Sequence, residues 1–536
     1  MKKLLLLITF AFTPFFAVAQ QEDAWVYFTD KENVANSIAN PITILTQRAI
    51  DRKANHNVAI DARDVPVNET YITQVKNAIG VTVMAKSKWL NAVHVRGTQT
   101  NINNLSTLPS VDRIDFANKN LNTALNINTN DDKFSIENVE VTFNYGNTEN
   151  QVDMINVDEL HEMDFTGEGI LIAVMDGGFP NVNTMGAFQR LRNAGDLLGG
   201  FDFVHRTTDI YATSNTSHGT RVLSTMAGYI ENQFVGTAPD ASYYLFITED
   251  GPNENPVEES YWVEAVERAD SLGVDIINTS LGYSNFDNAN YNYARSDFDG
   301  STTYITRGAN IAFEKGLLLV TSAGNSGATG ISAPADSQGV LSIGAVDSNG
   351  NYASFSSQGS SVQPVQKPDV VARGSGSFVI ESSNAIVQNN GTSFSSPIMA
   401  GGIACLWQAL PDVTNGELMQ LVRESASQYN SPDNFLGYGI PDLGSILNST
   451  LSQGDEIEQD KFTIFPNPTS GRLNITFPTD TDEADFLLFD VLGKQIFKTT
   501  ILRSNNAVDL GDLPRGIYIA RMQTSNQSNT YKLIKR

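Results

Sequence analysis

An unbroken apolar run ends in a carboxylate and two glycines in the stretch Ile170-Leu171-Ile172-Ala173-Val174-Met175-Asp176-Gly177-Gly178. Three later segments are apolar in the same way, without polar alternation: Val274–Ile277, Leu317–Val320 and Leu341–Val346. This pattern is typical of strands that helices cover on both faces of a parallel sheet. Between the strands, Tyr261–Leu272 has helical periodicity with one apolar face. Residues 145–447 are therefore predicted to form a doubly wound α/β domain that binds its ligands at the carboxyl ends of the strands.

Two smaller modules flank this domain. Ahead of it, Ala24–Phe116 alternates short strand and helix patterns, including a helix candidate over Ile42–Lys53, and is predicted to be a small α+β module. Residues 117–144 are rich in Asn, Asp and Thr and are expected to form an exposed linker that proteases reach easily. A second polar linker, 448–461, precedes short alternating strands with tight turns over 462–536, which favour a small β-sandwich.

Charge and the N-terminal residues narrow the class of protein. Acidic residues outnumber basic ones 60 to 35, for a formal net charge of -25, which argues against nucleic acid or an anionic membrane as a partner. Residues 1–19 have the order of a secretory signal peptide: two lysines, an apolar stretch and Ala17-Val18-Ala19. The only cysteine, Cys405, lies in an apolar, helix-like run, and we expect it to pack in the core instead of acting as a nucleophile.

Four polar residues stand in short motifs that suit acyl transfer. Asp176 ends the strand quoted above, His218 precedes Gly219-Thr220, and Ser393 lies in Gly391-Thr392-Ser393 ahead of Pro397 and a run of small residues. We expect Ser393 just before a helix that Pro397 initiates, where unpaired N–H groups favour negative charge. Asn325, in Ala323-Gly324-Asn325, follows another buried strand. A serine nucleophile needs a base, an acid that orients the base, and a donor to the oxyanion.

In their order and local motifs these residues resemble the subtilisin-like serine protease family. Asp176 and His218 are 42 positions apart, and His218 and Ser393 are 175 apart, which also fits that family. The resemblance implies that Asp176 is the orienting acid, His218 the general base and then acid, Ser393 the nucleophile and Asn325 the oxyanion donor. It also implies a subtilisin-like fold and a serine endopeptidase that acts on polypeptide substrates without a cofactor.

The same resemblance assigns two segments to the substrate cleft. These are Ser280-Leu281-Gly282 and Ser322-Ala323-Gly324, beside which a substrate would bind as an added strand. The alternative is that Ser280–Gly282 is only a turn at a strand end. The chain departs from the family at Gly177, where a Ser or Thr usually supports the acid. It departs again at Arg221, where many members have histidine, which is expected to alter the cleft rim.

The flanking modules carry resemblances of their own. Ala24–Phe116 is similar to the inhibitory propeptide of the same family, notably over Tyr71–Val93 and Leu108–Val111. This similarity implies a zymogen whose own propeptide is an intramolecular inhibitor over residues 20–116, with a maturation site in the linker. The C-terminal module resembles the sorting domain of the type IX secretion system in Phe465–Gly471, Phe489–Lys494 and Leu513–Tyr518. It implies type IX machinery as a partner and a secreted or surface-attached product; a generic carbohydrate-binding or adhesive sandwich is the alternative.

Three alternatives stay open or are excluded at this stage. A catalytically inactive, surface-displayed binding protein on the same fold is the rival function, and the absence of a hydroxyl at Gly177 keeps it open. Dinucleotide binding is excluded because Gly167-Glu168-Gly169 precedes a strand instead of following one. Structural calcium is common in the family, and Asp297 to Asp299 are candidate ligands, but no full ligand loop is present, so no metal site is assigned.

Overall fold

The computed structural model describes residues 20–122, 146–211, 216–447 and most of 462–535, with short gaps in the last range. The chain divides into two compact units, Met1–Ser445 and Ile446–Arg536. The predicted signal peptide, most of the first linker and the second linker lie outside the described residues. Among the residues that are described, no helix combines the length and the apolar character needed to cross a membrane.

The N-terminal module is a four-stranded antiparallel sheet in the order β2-β3-β1-β4. Its strands are β1 (Gln21–Phe28), β2 (Val81–Ser87), β3 (Ala92–Thr98) and β4 (Val111–Phe116). Its helices are α1 (Val34–Ala39), α2 (Gln47–Asn55), α3 (Glu69–Lys76) and α4 (Gln99–Asn104). The helix expected over Ile42–Lys53 is therefore wrong at its start, because Thr46 caps α2 by accepting a bond from Ala49 N and so separates it from the preceding 3₁₀ turn.

Strand β1 is buried on both faces, because its alternate side chains pack into two different cores. Val26 and Phe28 pack with residues of α3 and α4 in the module's own core. Trp25 and Tyr27 point the other way and join a core cluster made mostly of central-domain residues. The Trp25 ring stacks on Tyr304 with centroids 4.5 Å apart. The module is therefore an integral layer of the first unit, with one face of its sheet covered by the central domain.

The central domain alternates strands and helices as expected. Its strands are β5 (Leu171–Asp176), β6 (Leu197–Asp202), β7 (Tyr229–Ile230), β8 (Phe234–Val235), β9 (Ser242–Ile247), β10 (Ile276–Thr279), β11 (Leu318–Ser322), β12 (Val340–Val346), β13 (Val370–Arg373), β14 (Ser377–Ile380) and β15 (Ile386–Asn389). Its helices are α5 (Glu149–Asp153), α6 (Val157–Glu162), α7 (Gln189–Ala194), α8 (His218–Ala227), α9 (Val257–Leu272), α10 (Tyr304–Glu314), α11 (Thr392–Ala409) and α12 (Asn415–Glu424).

Seven of these strands form one parallel sheet in the order β13-β12-β11-β10-β5-β9-β6. Its three central strands are in register, so that Ile276 of β10 lies opposite Ile172 of β5 and Leu318 of β11. Because the strands run parallel, the residues that follow each of them meet at one edge of the sheet. The predicted doubly wound α/β domain is confirmed, and Asp176, Ser280 and Asn325 come from its carboxyl edge.

The C-terminal unit has two antiparallel sheets, in the orders β16-β17-β20 and β19-β18-β21-β22. Its strands are β16 (Thr463–Phe465), β17 (Arg472–Thr476), β18 (Glu483–Phe489), β19 (Gln495–Leu502), β20 (Ala507–Asp509), β21 (Gly516–Gln523) and β22 (Ser528–Lys535). Leu473 and Ile475 of one sheet share a core with Phe486 and Leu488 of the other. Two sheets that bury their facing side chains form a β-sandwich, as the alternating pattern predicts.

The first linker begins later than predicted. Ala117 and Asn118 are buried, and a 3₁₀ turn at Lys119–Leu121 follows them. The Lys119 ammonium pairs with Asp297 of the central domain and lies 4.5 Å from the centroid of the Tyr293 ring. Residues 117–122 are polar, but they are held by contacts with a distant part of the chain that local sequence composition does not reveal.

Candidate active site

A strand and a helix bring Asp176 and His218 together. Asp176 is the fully buried last residue of β5, and His218 is the first residue of α8. His218 Nδ1 lies 3.0 Å from Asp176 Oδ1 and 2.9 Å from Oδ2. A Cβ added to Gly219 would lie 2.9 Å from Asp176 Cβ and 2.5 Å from the Gly178 carbonyl oxygen. The glycine after the histidine is therefore what allows α8 to approach the end of the strand.

The structure explains why position 177 is a glycine. Its backbone N–H donates to Asp176 Oδ1 at 2.7 Å. A Cβ at this position would lie 2.8 Å from the Thr216 methyl carbon. The Thr216 hydroxyl in turn accepts a hydrogen bond from His218 N at 3.1 Å. The space that a Ser or Thr side chain would need is thus filled by Thr216, and the carboxylate keeps a backbone donor.

Ser393 lies inside the first turn of α11, which begins at Thr392 and continues through Pro397. The prediction that Pro397 initiates the helix is wrong. Proline lacks the N–H that would bond to the Ser393 carbonyl, and the Ser280 hydroxyl donates to that carbonyl instead, at 2.9 Å. Ser393 Oγ donates to the Ser280 carbonyl at 3.3 Å, so the two serines exchange bonds.

Helix α11 also packs against the histidine, through the residue that follows Ser393. The ring of its neighbour Phe394 has its centroid 5.9 Å from that of His218. Ser393 retains 9% of its surface exposed, whereas Ser395 and Ser396 in the same turn are fully buried. Ser393 is therefore the serine of this turn that solvent reaches.

Asn325 is oriented by the residue before Ser393. Its carboxamide oxygen accepts hydrogen bonds from both the backbone N–H and the hydroxyl of Thr392, each at 2.9 Å. The opposite end, Nδ2, faces Gly391, because a Cβ built on that glycine would lie 3.6 Å from it. Gly391 has φ 144, in the range that favours glycine. The amide donor of Asn325 thus points to the start of the turn that carries Ser393.

The two predicted substrate segments follow neighbouring strands. Ser280–Gly282 comes directly after β10, and Ser322–Gly324 spans the end of β11. Ser280, Leu281, Ser322 and Ala323 are buried, while Gly282 and Gly324 are partly exposed. The hydroxyl of Ser332 would lie 2.2 Å from a Cβ on Gly282 and 3.4 Å from one on Gly324. The Ser332 hydroxyl therefore lies beside both glycines and fills the space that a Cβ on Gly282 would need.

Arg221 lies in the first turn of α8, and its side chain is 14% exposed. Its guanidinium bonds Glu381 at 3.2 Å and Asn389 at 3.4 Å, which belong to the β14–β15 hairpin. The side chain is thus engaged in packing α8 against this hairpin.

The carboxylates named as possible calcium ligands are occupied by other partners. Asp297 pairs with Lys119 and accepts a bond from Ala294 N. Asp299 accepts bonds from the backbone and hydroxyl groups of Ser301 and Thr302. In the part of the chain that the structure describes, no group of three or more His, Cys, Asp or Glu side chains is arranged to hold a metal ion.

Sequence reasoning missed Thr216, Thr392 and the pairing of Ser280 with Ser393. Thr216 and Thr392 stand one or two positions from a predicted catalytic residue, and their contacts depend on helix starts that the sequence does not fix. Cys405 is buried as predicted; its thiol lies 3.1 Å from the Thr237 carbonyl oxygen, and burial raises its pKa far above the usual range. It lies away from the catalytic candidates.

Comparison with known proteins identifies the family of the central domain. The model of the subtilase family matches residues 167–439. Subtilisin DY from Bacillus licheniformis is 30% identical over 291 residues, covering 53% of this chain and 92% of its own. A thermostable alkaline protease from Halalkalibacterium halodurans is 29% identical over 295 residues, covering 55% of this chain and 72% of its own. Among solved structures, the MycP3 protease of a type VII secretion system is 21% identical, covers 56% of this chain and 87% of its own, and has a TM-score of 0.46.

The flanking modules match family models as well. A peptidase S8 propeptide domain of Bacteroidota matches residues 23–133, and a secretion system C-terminal sorting domain matches residues 463–536. The sorting domain indicates type IX secretion to the extracellular space or the cell surface. The chain therefore belongs to the subtilase family and is a secreted serine endopeptidase made as a zymogen.

Proposed function

We propose that Asp176, His218 and Ser393 hydrolyse peptide bonds through an acyl-enzyme. The observation that carries this proposal is the buried contact of His218 Nδ1 with both oxygens of Asp176. A histidine held in this way has a fixed tautomer and orientation, which suits its other nitrogen to take the proton of a nucleophile. Ser393 and Asn325 come from the same edge of the sheet, which supports their roles as nucleophile and oxyanion donor.

The steps follow from these roles. Ser393 Oγ attacks the carbonyl carbon of the scissile bond while His218 takes its proton, and Asp176 stabilises the imidazolium that forms. Asn325 Nδ2 donates to the oxyanion of the tetrahedral intermediate. His218 then gives the proton to the leaving amine, which breaks the peptide bond and leaves an ester on Ser393. Water attacks that ester by the same route, and no cofactor enters the reaction.

We propose that the substrate lies extended along Ser280–Gly282 and Ser322–Gly324. Both segments continue strands of the central sheet, so a peptide placed beside them finds backbone groups to pair with. Gly282 and Gly324 are partly exposed, so their backbone groups are accessible to such a peptide. The chain's own linker is the first substrate in this scheme, and its cleavage separates propeptide from protease.

The test replaces single side chains of the proposed site in the full-length chain. Ser393→Ala is expected to lower casein hydrolysis by at least roughly 10⁴-fold and to leave the chain unprocessed. Asn325→Ala is expected to lower kcat by roughly 10²- to 10³-fold, the size known for the oxyanion asparagine of subtilisin itself. Ser301→Ala, at an exposed serine, is the matched control and should behave as the parent. Casein cleavage at the parental rate by purified Ser393→Ala protein would contradict the assignment of Ser393 as the nucleophile.

A further inference from the structure

One segment of the propeptide lies outside its four-stranded sheet. We call it the arm: residues 29–68, which connect β1 with α3 and contain α1 and α2. Helix α1 buries none of its residues, whereas α2 buries Ala49, Arg52 and Lys53. Two adjacent cations on the buried face of a short helix are unusual, because charged side chains are rarely buried without partners. Their partners show what the arm does.

The arm and the catalytic domain share a buried network of charges. Asp270 of α9 pairs with Arg52 at 2.5 Å and with Lys53 at 2.7 Å. Lys315, at the end of α10, pairs with Asp64 of the arm at 2.7 Å. The side chains of all five residues are at most 4% exposed. Each domain thus supplies at least one cation and one anion to the other, and within the arm Lys53 also lies 3.5 Å from Asp64.

The arm also covers the C-terminal end of α9. Its Thr46 N–H donates to the Ser271 carbonyl at 3.0 Å, and Arg48 Nε donates to the Gly273 carbonyl at 3.0 Å. The last carbonyls of a helix receive no N–H donor from within the helix, and the helix dipole favours cations there. The C-terminal end of α9 therefore attracts the three cations of α2, Arg48, Arg52 and Lys53, in addition to the ion pairs.

The arm contacts the edge of the parallel sheet at which the strands begin, whereas the candidate catalytic residues lie at the edge at which the strands end. Arg48 donates to the Gly169 carbonyl at 2.9 Å and to the Asp275 carboxylate at 2.5 Å. Gly169 lies two residues before β5, and Asp275 lies directly before β10. Asp176 and Ser280 stand at the other ends of the same two strands. Four residues of β10 alone span roughly 13 Å. The arm therefore cannot block the cleft, and its contacts serve to bind the catalytic domain.

We propose that the arm is a second docking element, which keeps the cut propeptide on the protease through the buried pairs at Asp270 and Lys315. The receptor on the catalytic domain is the pair of C-terminal ends of α9 and α10, and it fits a helix with two adjacent cations followed by a carboxylate. The proposal rests on the proposed function only in taking the cut in the linker as the activating step. Release of the arm then sets the delay between cleavage and full activity.

The test uses the full-length chain with Ser393→Ala, so that binding is measured without activity. A recognition sequence for a site-specific protease is inserted between residues 123 and 145, the protein is cut, and the dissociation rate of the propeptide is measured. Arg52→Met with Lys53→Met is expected to speed dissociation about 100-fold, because Asp270 is then buried without a cation. Lys76→Met with Lys86→Met, at two exposed lysines of the propeptide, removes the same charge and should leave the rate unchanged.

An unchanged dissociation rate in the arm variant would overturn the proposal, whatever the role of Ser393. Should the arm variant fail to fold, hydrogen exchange on the cut parent decides the question. Amides of residues 46–58 are then expected to stay protected as long as those of the propeptide sheet. Rapid exchange of this stretch beside a protected sheet would show that the arm does not hold the propeptide.

Discussion

At the scale of single residues, the Thr216 side chain occupies the space that a side chain at position 177 would need. Gly177→Ser is expected to destabilise the site by about 1–3 kcal/mol, because its Cβ would lie 2.8 Å from the Thr216 methyl carbon. Adding Thr216→Ser removes that methyl while keeping the oxygen that accepts from His218 N, and it should restore both activity and stability. The measurements are kcat/KM on a peptide substrate and the thermal midpoint of unfolding.

Thr216→Ser alone is the control for this pair and should retain nearly the parental activity. A Gly177→Ser variant that is fully active without the second substitution would contradict the steric argument. It would instead mean that Thr216 moves aside at little cost.

Prediction from sequence succeeds best where a residue's position depends on the strand it follows. Asp176, Asn325 and Ser280 each come after an apolar run, and parallel strands bring such residues to one edge. The bonds between Ser280 and Ser393 could not be predicted, because they connect positions 113 apart through the start of a helix. The sequence suggests that start at Pro397, but backbone hydrogen bonding places it at Thr392.

At the scale of elements, α9 meets the β2–β3 turn of the propeptide through one carboxylate. Glu267 accepts bonds from Ser87 Oγ at 2.6 Å, Lys88 N at 2.9 Å and Trp89 N at 3.0 Å. Burial raises the pKa of Glu267 to about 7, although Lys88 and these donors lower it. Once the propeptide leaves, the exposed carboxyl should return to its ordinary pKa of about 4.3.

This difference makes propeptide binding depend on pH. Because the pKa is higher in the complex, the contribution of Glu267 is complete below about pH 4.3 and is lost as the pH rises through about 7. The cut complex is therefore expected to bind roughly tenfold more weakly at pH 8 than at pH 6. Glu267→Gln should remove this part of the dependence, and Glu69→Gln, at an exposed residue, should not. Equal pH dependence in both variants would exclude Glu267 as its source.

The elements themselves were predictable to different degrees. Four strands of the parallel sheet, β5, β10, β11 and β12, follow from apolar runs, because strands buried on both faces lack polar alternation. The edge strand β6 is mostly half-buried and has no such run. Strand β1 lies in the predicted α+β module, but its burial on both faces depends on the central domain covering Trp25 and Tyr27. The 3₁₀ turn at Lys119–Leu121 was missed because its order comes from Asp297 and Tyr293, which are remote in sequence.

At the scale of the whole molecule, the C-terminal unit has a core of its own and is separable from the protease. A chain that ends at Leu447 is expected to be exported from the cytoplasm but not to reach the medium of a Bacteroidota host. Immunoblots of medium and cell fractions measure this, with the full-length chain as control. The purified truncated protease should hydrolyse casein at the parental rate. Release of the truncated chain in full yield would contradict a sorting role for residues 462–536.

The lone cysteine has a consequence for the order of events in biogenesis. Cys405 is fully buried with its thiol against the Thr237 carbonyl, and the sequence has no second thiol to pair with it. Folding therefore requires no electron acceptor, no oxidase and no shuffling of sulfur bonds. Protease and propeptide can reach their final structure in a reducing or an oxidising compartment alike, so the redox state of the medium does not dictate when the zymogen matures.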